Sequence, residues 1–222
     1  MSDRYALSRE ESVFLARRTL VEHIWHGARL EGCNVTFPDT LTIIDGMVPA
    51  GLSTDDVTVV LNLREAWRFL LSSLDDAFGP ELVRGLNARV VFGMSLDPGE
   101  WRTGSVGIGG AEWRPPAPDE NSVARVFELG GESVTERALG FAVSAMRAQL
   151  FWHGNKRTAM LAANHLMLAA GAGMLSIPPA DLETFNRTLS AYYTTGDETE
   201  LLGFLYARCV AGLDLGARGF ER

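Results

Sequence analysis

Apolar and polar residues alternate with a period close to that of an α-helix along most of the chain. The segment "SREESVFLARRTLVEHIW" starts with Ser and Glu at capping-box spacing and continues with apolar residues at helical spacing. This pattern predicts a first helix over residues 8–31, which Gly32 would end. The same reasoning predicts further helices over residues 39–46, 55–74, 81–92, 121–129, 133–152, 156–170, 179–193 and 198–213. The predicted fold class is therefore all-α.

One segment breaks this pattern. Residues 97–121, "DPGEWRTGSVGIGGAEWRPPAPDEN", are rich in glycine and proline and contain short alternating runs. The runs on either side of Gly109 and Gly110 predict a small β-hairpin, and "RPPAP" predicts an extended connector after it. Arg102 and Arg114 flank the hairpin, and we expect both to be surface charges.

Composition narrows the class of protein. The 222 residues are 46% hydrophobic and 22% charged, values that are ordinary for a globular protein. We predict a helical arm over residues 1–46 and a helical domain over residues 47–222, which together form one compact unit. The formal net charge is −8, which argues against general binding to nucleic acid or to anionic membranes. Any phosphate site must therefore be local.

The two cysteines, Cys33 and Cys209, match no metal-ligand spacing, so we predict two reduced thiols and no metal site. The polar start "MSDRYALSREES" lacks the apolar stretch of a signal peptide, and no apolar run reaches the ~20 residues of a membrane-spanning helix. These features predict a cytoplasmic protein.

The stretch "LFWHGNKRTAM", residues 150–160, offers the sequence's strongest candidate chemistry. A helix that starts here presents unpaired backbone N–H groups and the positive end of its dipole. Gly154 permits close approach to the backbone, Asn155 is a suitable N-cap, and Lys156 and Arg157 add two cations. Together they predict a phosphate site. The alternative is an ordinary turn between helices, followed by two solvated cations.

The chain resembles a known family in several segments. "QLFWHGNKRTAM" resembles the central motif of the Fic/Doc (Fido) proteins, and "GEWRTGSVGIGGAEWRPPAP" is similar to their flap segment. "GARLEGCNVTF" resembles the end of the helix that carries the inhibitory motif of self-inhibited members. "GAGMLSIPPADLETFNRTLSAYYTTGD" is similar to their C-terminal helices. The resemblance implies a Fic-type helical bundle with a β-hairpin flap that includes Val106, Gly107, Ile108 and Gly109.

The resemblance also implies an activity. Fic proteins transfer AMP from ATP to a protein hydroxyl, and the Doc branch transfers a phosphate. The expected partners are ATP or another nucleotide donor and an unknown protein target. By position in the motif, Gly154 and Asn155 would form the anion hole, Lys156 would match the lysine of the Doc branch, and Arg157 would clamp phosphate oxygens. The alternative is a catalytically inactive Fic fold that binds a nucleotide or a protein in a regulatory role.

Two departures from the motif concern catalysis. Gln149 stands where the family has its catalytic His, and an amide cannot act as a general base, so Gln149 could only orient a nucleophile. His153 stands where the family has the acidic ligand of Mg²⁺, which makes Mg²⁺ doubtful because this ion prefers oxygen ligands. His153 either replaces the missing base or has no catalytic role and simply faces solvent or bonds a neighbour.

Further departures concern regulation. Glu31 matches the inhibitory Glu, but Met160 replaces the Arg with which that Glu pairs, and Gly27 replaces a Ser or Thr. We expect Glu31 either to pair with Arg157 or to stay exposed at its helix end. The following expectations are less specific. The resemblance implies that Asn164 lines the nucleotide pocket. Tyr192 and Tyr193 would be core residues, or one of them would stack on a base. The sequence leaves the oligomeric state open.

Overall fold

The computed structural model describes residues 1–107 and 113–213, and in these ranges the chain forms ten α-helices and one two-stranded antiparallel ladder. The helices are α1 (Arg9–Arg18), α2 (Leu20–Leu30), α3 (Phe37–Ile44), α4 (Thr54–Ser72), α5 (Pro80–Val90), α6 (Glu120–Val126), α7 (Val134–Ala148), α8 (Asn155–Ala170), α9 (Leu182–Thr195) and α10 (Thr199–Phe204). The strands are β1 (Met174–Leu175) and β2 (Val210–Ala211). The predicted all-α class is confirmed.

Helices α7 and α8 pack against each other at the centre of the molecule. Helix α8 is buried on nearly every side because small and large apolar residues surround its axis. Its buried apolar residues include Ala159, Leu161, Ala162, Ala163, Met167 and Leu168. The short loop between α7 and α8 is therefore held at both ends by the core.

Residues 8–31 form two helices, α1 and α2, where the sequence predicted one. Helix α1 ends at Arg18, and its C-cap Thr19 has a φ of −101° and a ψ of 11°, which are not helical. The Thr19 hydroxyl donates to the Leu15 carbonyl at 2.9 Å, a bond that competes with regular helix geometry. The predicted capping box of Ser8 and Glu11 is present. Helix α2 packs against α4 and α8, so its C-terminal end lies beside the start of α8.

The C-terminal part also differs from the prediction of one helix over residues 198–213. Helix α10 ends at Phe204, a π-helical turn follows over residues 205–209, and β2 then pairs with β1. Asn164 fixes this ladder, because its side-chain amide donates to the Leu175 carbonyl and its oxygen accepts from the Leu175 N–H, both at 2.8 Å. The expectation that Asn164 lines a nucleotide pocket stays a prediction.

The predicted flap hairpin is only partly described. Val106 and Gly107 lie outside regular secondary structure, while Ile108 and Gly109 fall outside the described residues. The hairpin therefore stays a prediction, and the β1–β2 ladder is a separate element. None of the helices in the described ranges is long and apolar enough to cross a membrane.

Candidate functional site

A cavity of about 430 Å³ opens at the N-terminal end of α8, and we call it the α8 cavity. The α7–α8 loop, the end of α2, one described flap residue and one face of α9 contribute its walls. Its lining residues are Glu31, Gly107, Gln149, Trp152, His153, Gly154, Asn155, Lys156, Asn186, Leu189, Ser190 and Tyr193. The structure therefore brings together most of the predicted site residues, and Arg157 is the exception among the predicted cations.

Gly154 shapes the start of α8. Its φ of +74° lies in the left-handed region, where glycine is strongly favoured. A Cβ atom at this position would lie 2.6 Å from Cγ1 of Val91 and 2.9 Å from Cγ1 of Val90. Gly154 is also the N-cap, and no side chain among the described residues caps the helix here. The first-turn N–H groups of α8 are thus left for solvent or for a ligand.

Asn155 is the first residue of α8 and not its N-cap, which corrects the sequence prediction. Its side chain closes the preceding loop instead. The Asn155 oxygen accepts from the Phe151 N–H at 2.9 Å, and its amide donates to the Phe151 carbonyl at 2.7 Å and to Gln149 Oε1 at 3.0 Å. Asn155 can therefore offer a ligand its backbone N–H, whereas its side chain maintains the loop.

Lys156 is the only lysine among the 222 residues. Its Nζ donates to the Leu30 carbonyl, at the end of α2, at 3.2 Å. Burial lowers the pKa of this ammonium group, although the nearby Glu31 carboxylate acts in the opposite direction. Lys156 thus brings one positive charge to the cavity wall and contacts the N-terminal arm.

Arg157 lies behind the α8 cavity and is 2% exposed. Its Nη2 lies 2.9 Å from Glu31 Oε1, and its Nη1 donates to the Val90 carbonyl at 3.3 Å. The Glu31 side chain is 33% exposed and lines the cavity, so it stands between Arg157 and the ligand space. The expected pairing of Glu31 with Arg157 is therefore present.

Met160, which replaces the last Arg of the motif, borders a separate void of about 30 Å³ together with Arg157. The Nε atom of Arg157 is buried and has no hydrogen-bond partner in the described part of the chain. Arg157 is thus less completely paired than its burial demands, and an added acceptor would satisfy it.

Gln149 lines the cavity, but its side chain already serves the loop. Its φ of 48° makes it the one non-glycine residue with positive φ in the described ranges. Its Nε2 donates to the Met146 carbonyl at 2.7 Å and lies 3.4 Å from the Tyr193 hydroxyl. Both amide hydrogens are therefore committed. The geometry gives Gln149 a role in loop closure, and orientation of a nucleophile by its side-chain oxygen stays a prediction.

His153 is exposed and is the one imidazole among the described residues that line the cavity. Its carbonyl accepts from Asn87 Nδ2 at 3.0 Å, so its backbone is fixed while its side chain is exposed. The donor set does not suit Mg²⁺, because Glu31, the one carboxylate among the described lining residues, is paired with Arg157 and His153 offers nitrogen. No group of three metal-binding side chains is found in the described part of the chain.

Two buried residues that support the site could not be identified from the sequence. The first is Asn87, which donates to His153 O and to Thr158 Oγ1, and its oxygen accepts from the Gly99 N–H at 3.0 Å. Asn87 therefore links α5 to the α7–α8 loop. Nothing in the surrounding sequence distinguishes Asn87 from any polar residue of an amphipathic helix.

The second is Arg102, which is 1% exposed, so the prediction of a surface charge is wrong. Its guanidinium donates to backbone carbonyls from three segments, and this satisfies the charge without a carboxylate. The acceptors are Gly104, Pro115, Pro116, Ala148 and Gln149. Burial lowers the pKa of Arg102. Arg102 thereby ties both stems of the flap segment to the end of α7.

Tyr192 and Tyr193 are both buried, but they face different spaces. Tyr193 lines the α8 cavity, and burial raises the pKa of its phenol. Tyr192 lines another groove on the opposite side of the loop. Stacking of Tyr193 on a base stays a prediction.

Comparison with known proteins supports the fold. No protein-family model and no curated protein matches the chain. Among solved structures, the chain is similar to Fic-1 from C. elegans, with a TM-score of 0.75 and 22% identity over 87% of this chain and 62% of that one. It is also similar to a Fic family protein from Desulfovibrio desulfuricans G20, with a TM-score of 0.68 and 17% identity over 90% of this chain and 62% of that one.

A third similar structure is a Fic domain containing signaling protein from Bacteroides thetaiotaomicron VPI-5482. Its TM-score is 0.70, with 20% identity over 90% of this chain and 86% of that one. The chain spans about three-fifths of the length of the C. elegans and Desulfovibrio chains. At these identities the likeness establishes the architecture: the chain has the Fic fold.

Proposed function

We propose that the protein binds the phosphate groups of a nucleotide in the α8 cavity and that Glu31 competes with them for Arg157. One observation carries this proposal. The uncapped start of α8 and Lys156 line the cavity, while the buried Arg157 behind them is paired with a partly exposed carboxylate. A phosphate group that displaced Glu31 would find N–H donors, an ammonium and a guanidinium fork at one place.

Size and chemistry of the walls support a nucleotide. A volume of about 430 Å³ lies in the range of small-molecule sites. Opposite the helix start, α9 presents Asn186, Leu189, Ser190 and Tyr193, which offer hydrogen-bonding groups and one aromatic ring to a nucleoside. The local cations matter because the chain as a whole carries a formal charge of −8.

Group transfer is the second candidate function, and His153 is the observation that favours it. In-line transfer of a nucleotidyl or phosphoryl group depends mainly on positioning and on stabilisation of charge, which the start of α8 could supply. The exposed His153 imidazole could accept the proton of an attacking protein hydroxyl at the cavity opening. Without any base, such a transfer would be slower by ~10²–10⁴-fold.

Titration calorimetry with ATP tests the binding proposal. Wild-type protein should bind ATP, and Lys156→Gln should weaken binding by about tenfold, the loss expected for one charge-assisted hydrogen bond. Arg187→Gln is the matched control, because Arg187 is an exposed α9 cation paired with Glu200 and does not line the cavity. Absence of ATP binding, or equal affinity in the Lys156 variant, would contradict the proposal.

Incubation with ATP labelled at the α- or γ-phosphate separates binding from transfer. Label that becomes attached to protein, and that His153→Asn strongly reduces, would support transfer. Binding of ATP without attachment of either label would support the regulatory alternative. The two labels also distinguish AMP transfer from phosphate transfer.

A further inference from the structure

A second groove lies behind the α8 cavity, and we call it the rear groove. It has a volume of about 360 Å³ and runs between the connector after the flap and the faces of α6, α7 and α9. The two spaces share a wall. Gln149 and Tyr193 face the α8 cavity, whereas their neighbours Ala148, Leu150 and Tyr192 face the rear groove.

The lining of the rear groove is mostly apolar, and two arginines, Arg125 and Arg147, are among its polar residues. Trp113, Pro115, Pro116, Val126 and Leu150 form much of the apolar surface. Such a lining, with a few polar groups at fixed positions, is typical of sites for small organic molecules. A volume of about 360 Å³ is sufficient for a small aromatic compound.

Arg125 is exposed, whereas Arg147 is partly buried and two aromatic rings position it. Its guanidinium carbon lies 4.2 Å from the centroid of the Trp113 ring and 5.5 Å from that of Tyr192. The Trp113 indole N–H donates to the Arg147 carbonyl at 3.3 Å, which fixes the ring beside the arginine. The rings contact the guanidinium without satisfying its N–H donors, which point along its edges.

Arg147 is incompletely paired within the described part of the chain. Its Nε is buried and has no hydrogen-bond partner, and no described carboxylate lies within 4.0 Å of the guanidinium. An unsatisfied buried donor is costly. The chain has 28 acidic residues against 20 basic ones, and still no described carboxylate pairs with Arg147. An arginine that is held by aromatic rings and has no described counter-ion is therefore prepared for an external anion.

The geometry points to a second ligand site: the rear groove binds a small organic acid with an aromatic body. The carboxylate pairs with the guanidinium edge of Arg147, for which a planar two-oxygen anion is the best fit. The aromatic body lies against the prolines and against Trp113 and Tyr192. This site is separate from the α8 cavity, and its occupation does not depend on nucleotide binding.

Titration with naphthoate, compared with its neutral analogue naphthamide, tests the inference. Wild-type protein should bind naphthoate. Naphthamide should bind at least about tenfold more weakly because it lacks the charge. Arg147→Gln should lose a similar factor. Arg137→Gln is the matched control, because Arg137 lies on the same helix and borders a different cavity.

Two further variants keep the test decisive. Trp113→Leu should weaken naphthoate binding, and Lys156→Gln should leave it unchanged because Lys156 lines only the α8 cavity. Circular dichroism would show that each variant is folded. The inference is overturned if wild-type protein binds no naphthoate at millimolar concentration, if acid and amide bind equally, or if Lys156→Gln abolishes binding while Arg147→Gln does not.

Discussion

At the scale of single residues, the fold itself requires a glycine at position 154. We expect Gly154→Ala to lower the free energy of unfolding by at least about 2 kcal/mol, because alanine disfavours this φ and its methyl group would overlap Val90 and Val91. Urea unfolding measures this loss. Gly203→Ala is the control, since Gly203 lies in α10 and an added methyl group would meet no heavy atom within 4 Å, and it should change stability by no more than about 1 kcal/mol. Equal effects of the two substitutions would contradict the account.

Some residues of the site could be predicted from the sequence, and others could not. Gly154 and Lys156 were predictable because they belong to one continuous segment whose local physics favours an anion. Arg102 was not, because its burial depends on carbonyls from segments that are distant in sequence. The side chain of Asn155 was assigned to a cap, although it forms three hydrogen bonds with the preceding loop.

At the scale of elements, apolar spacing predicted where helices occur but not where they break. The break at Thr19 depends on one hydroxyl that bonds the preceding turn, and apolar residues continue at helical spacing across it. The end of α7 depends on Gln149 in a left-handed conformation, a position where glycine is the usual signal. The β1–β2 ladder was missed because each strand has only two residues.

Arg102 bonds carbonyls from three segments, so its replacement should destabilise both stems of the flap segment. Arg102→Ala would leave several buried carbonyls without donors, and we expect a loss of about 3 kcal/mol in the free energy of unfolding. Hydrogen exchange should become faster at residues 102–107 and 113–118. Arg114→Ala, at an exposed position of the same segment, should have little effect on either quantity. Unchanged exchange in the Arg102 variant would show that the guanidinium does not hold the flap stems.

At the scale of the whole molecule, we expect three histidines to make stability depend on pH. Burial lowers the pKa of His23, His26 and His165, and that of His23 falls to about 3. Below the ordinary pKa of about 6.5, the unfolded chain binds protons that the folded chain does not, so the free energy of unfolding falls as pH falls. The loss approaches about 1.4 kcal/mol per pH unit for each histidine that stays neutral.

Urea unfolding between about pH 7 and pH 5 measures this dependence. His23→Gln should reduce its slope, because one proton-binding site of the unfolded chain is removed. A free energy of unfolding that stays constant over this range, or an identical slope in the variant, would show that these histidines are not held neutral.

The end of α2 and the start of α8 meet at the α8 cavity. Leu30 and Glu31, at the end of α2, contact Lys156 and Arg157, in the first turn of α8. The same contacts that help to hold α2 therefore occupy the cations that a phosphate group would need. Ligand binding and the position of the end of α2 should be coupled, and each should affect the other by the same free energy.

The most direct test of this coupling is the affinity for ATP of wild-type protein and of Glu31→Gln, measured by calorimetry under identical conditions. The substitution keeps the size of the side chain and removes the charge that competes for Arg157. We predict that Glu31→Gln binds ATP at least about tenfold more tightly, since phosphate no longer has to displace a carboxylate from Arg157. Equal or weaker binding by the variant would contradict the competition between Glu31 and phosphate on which the proposed function depends.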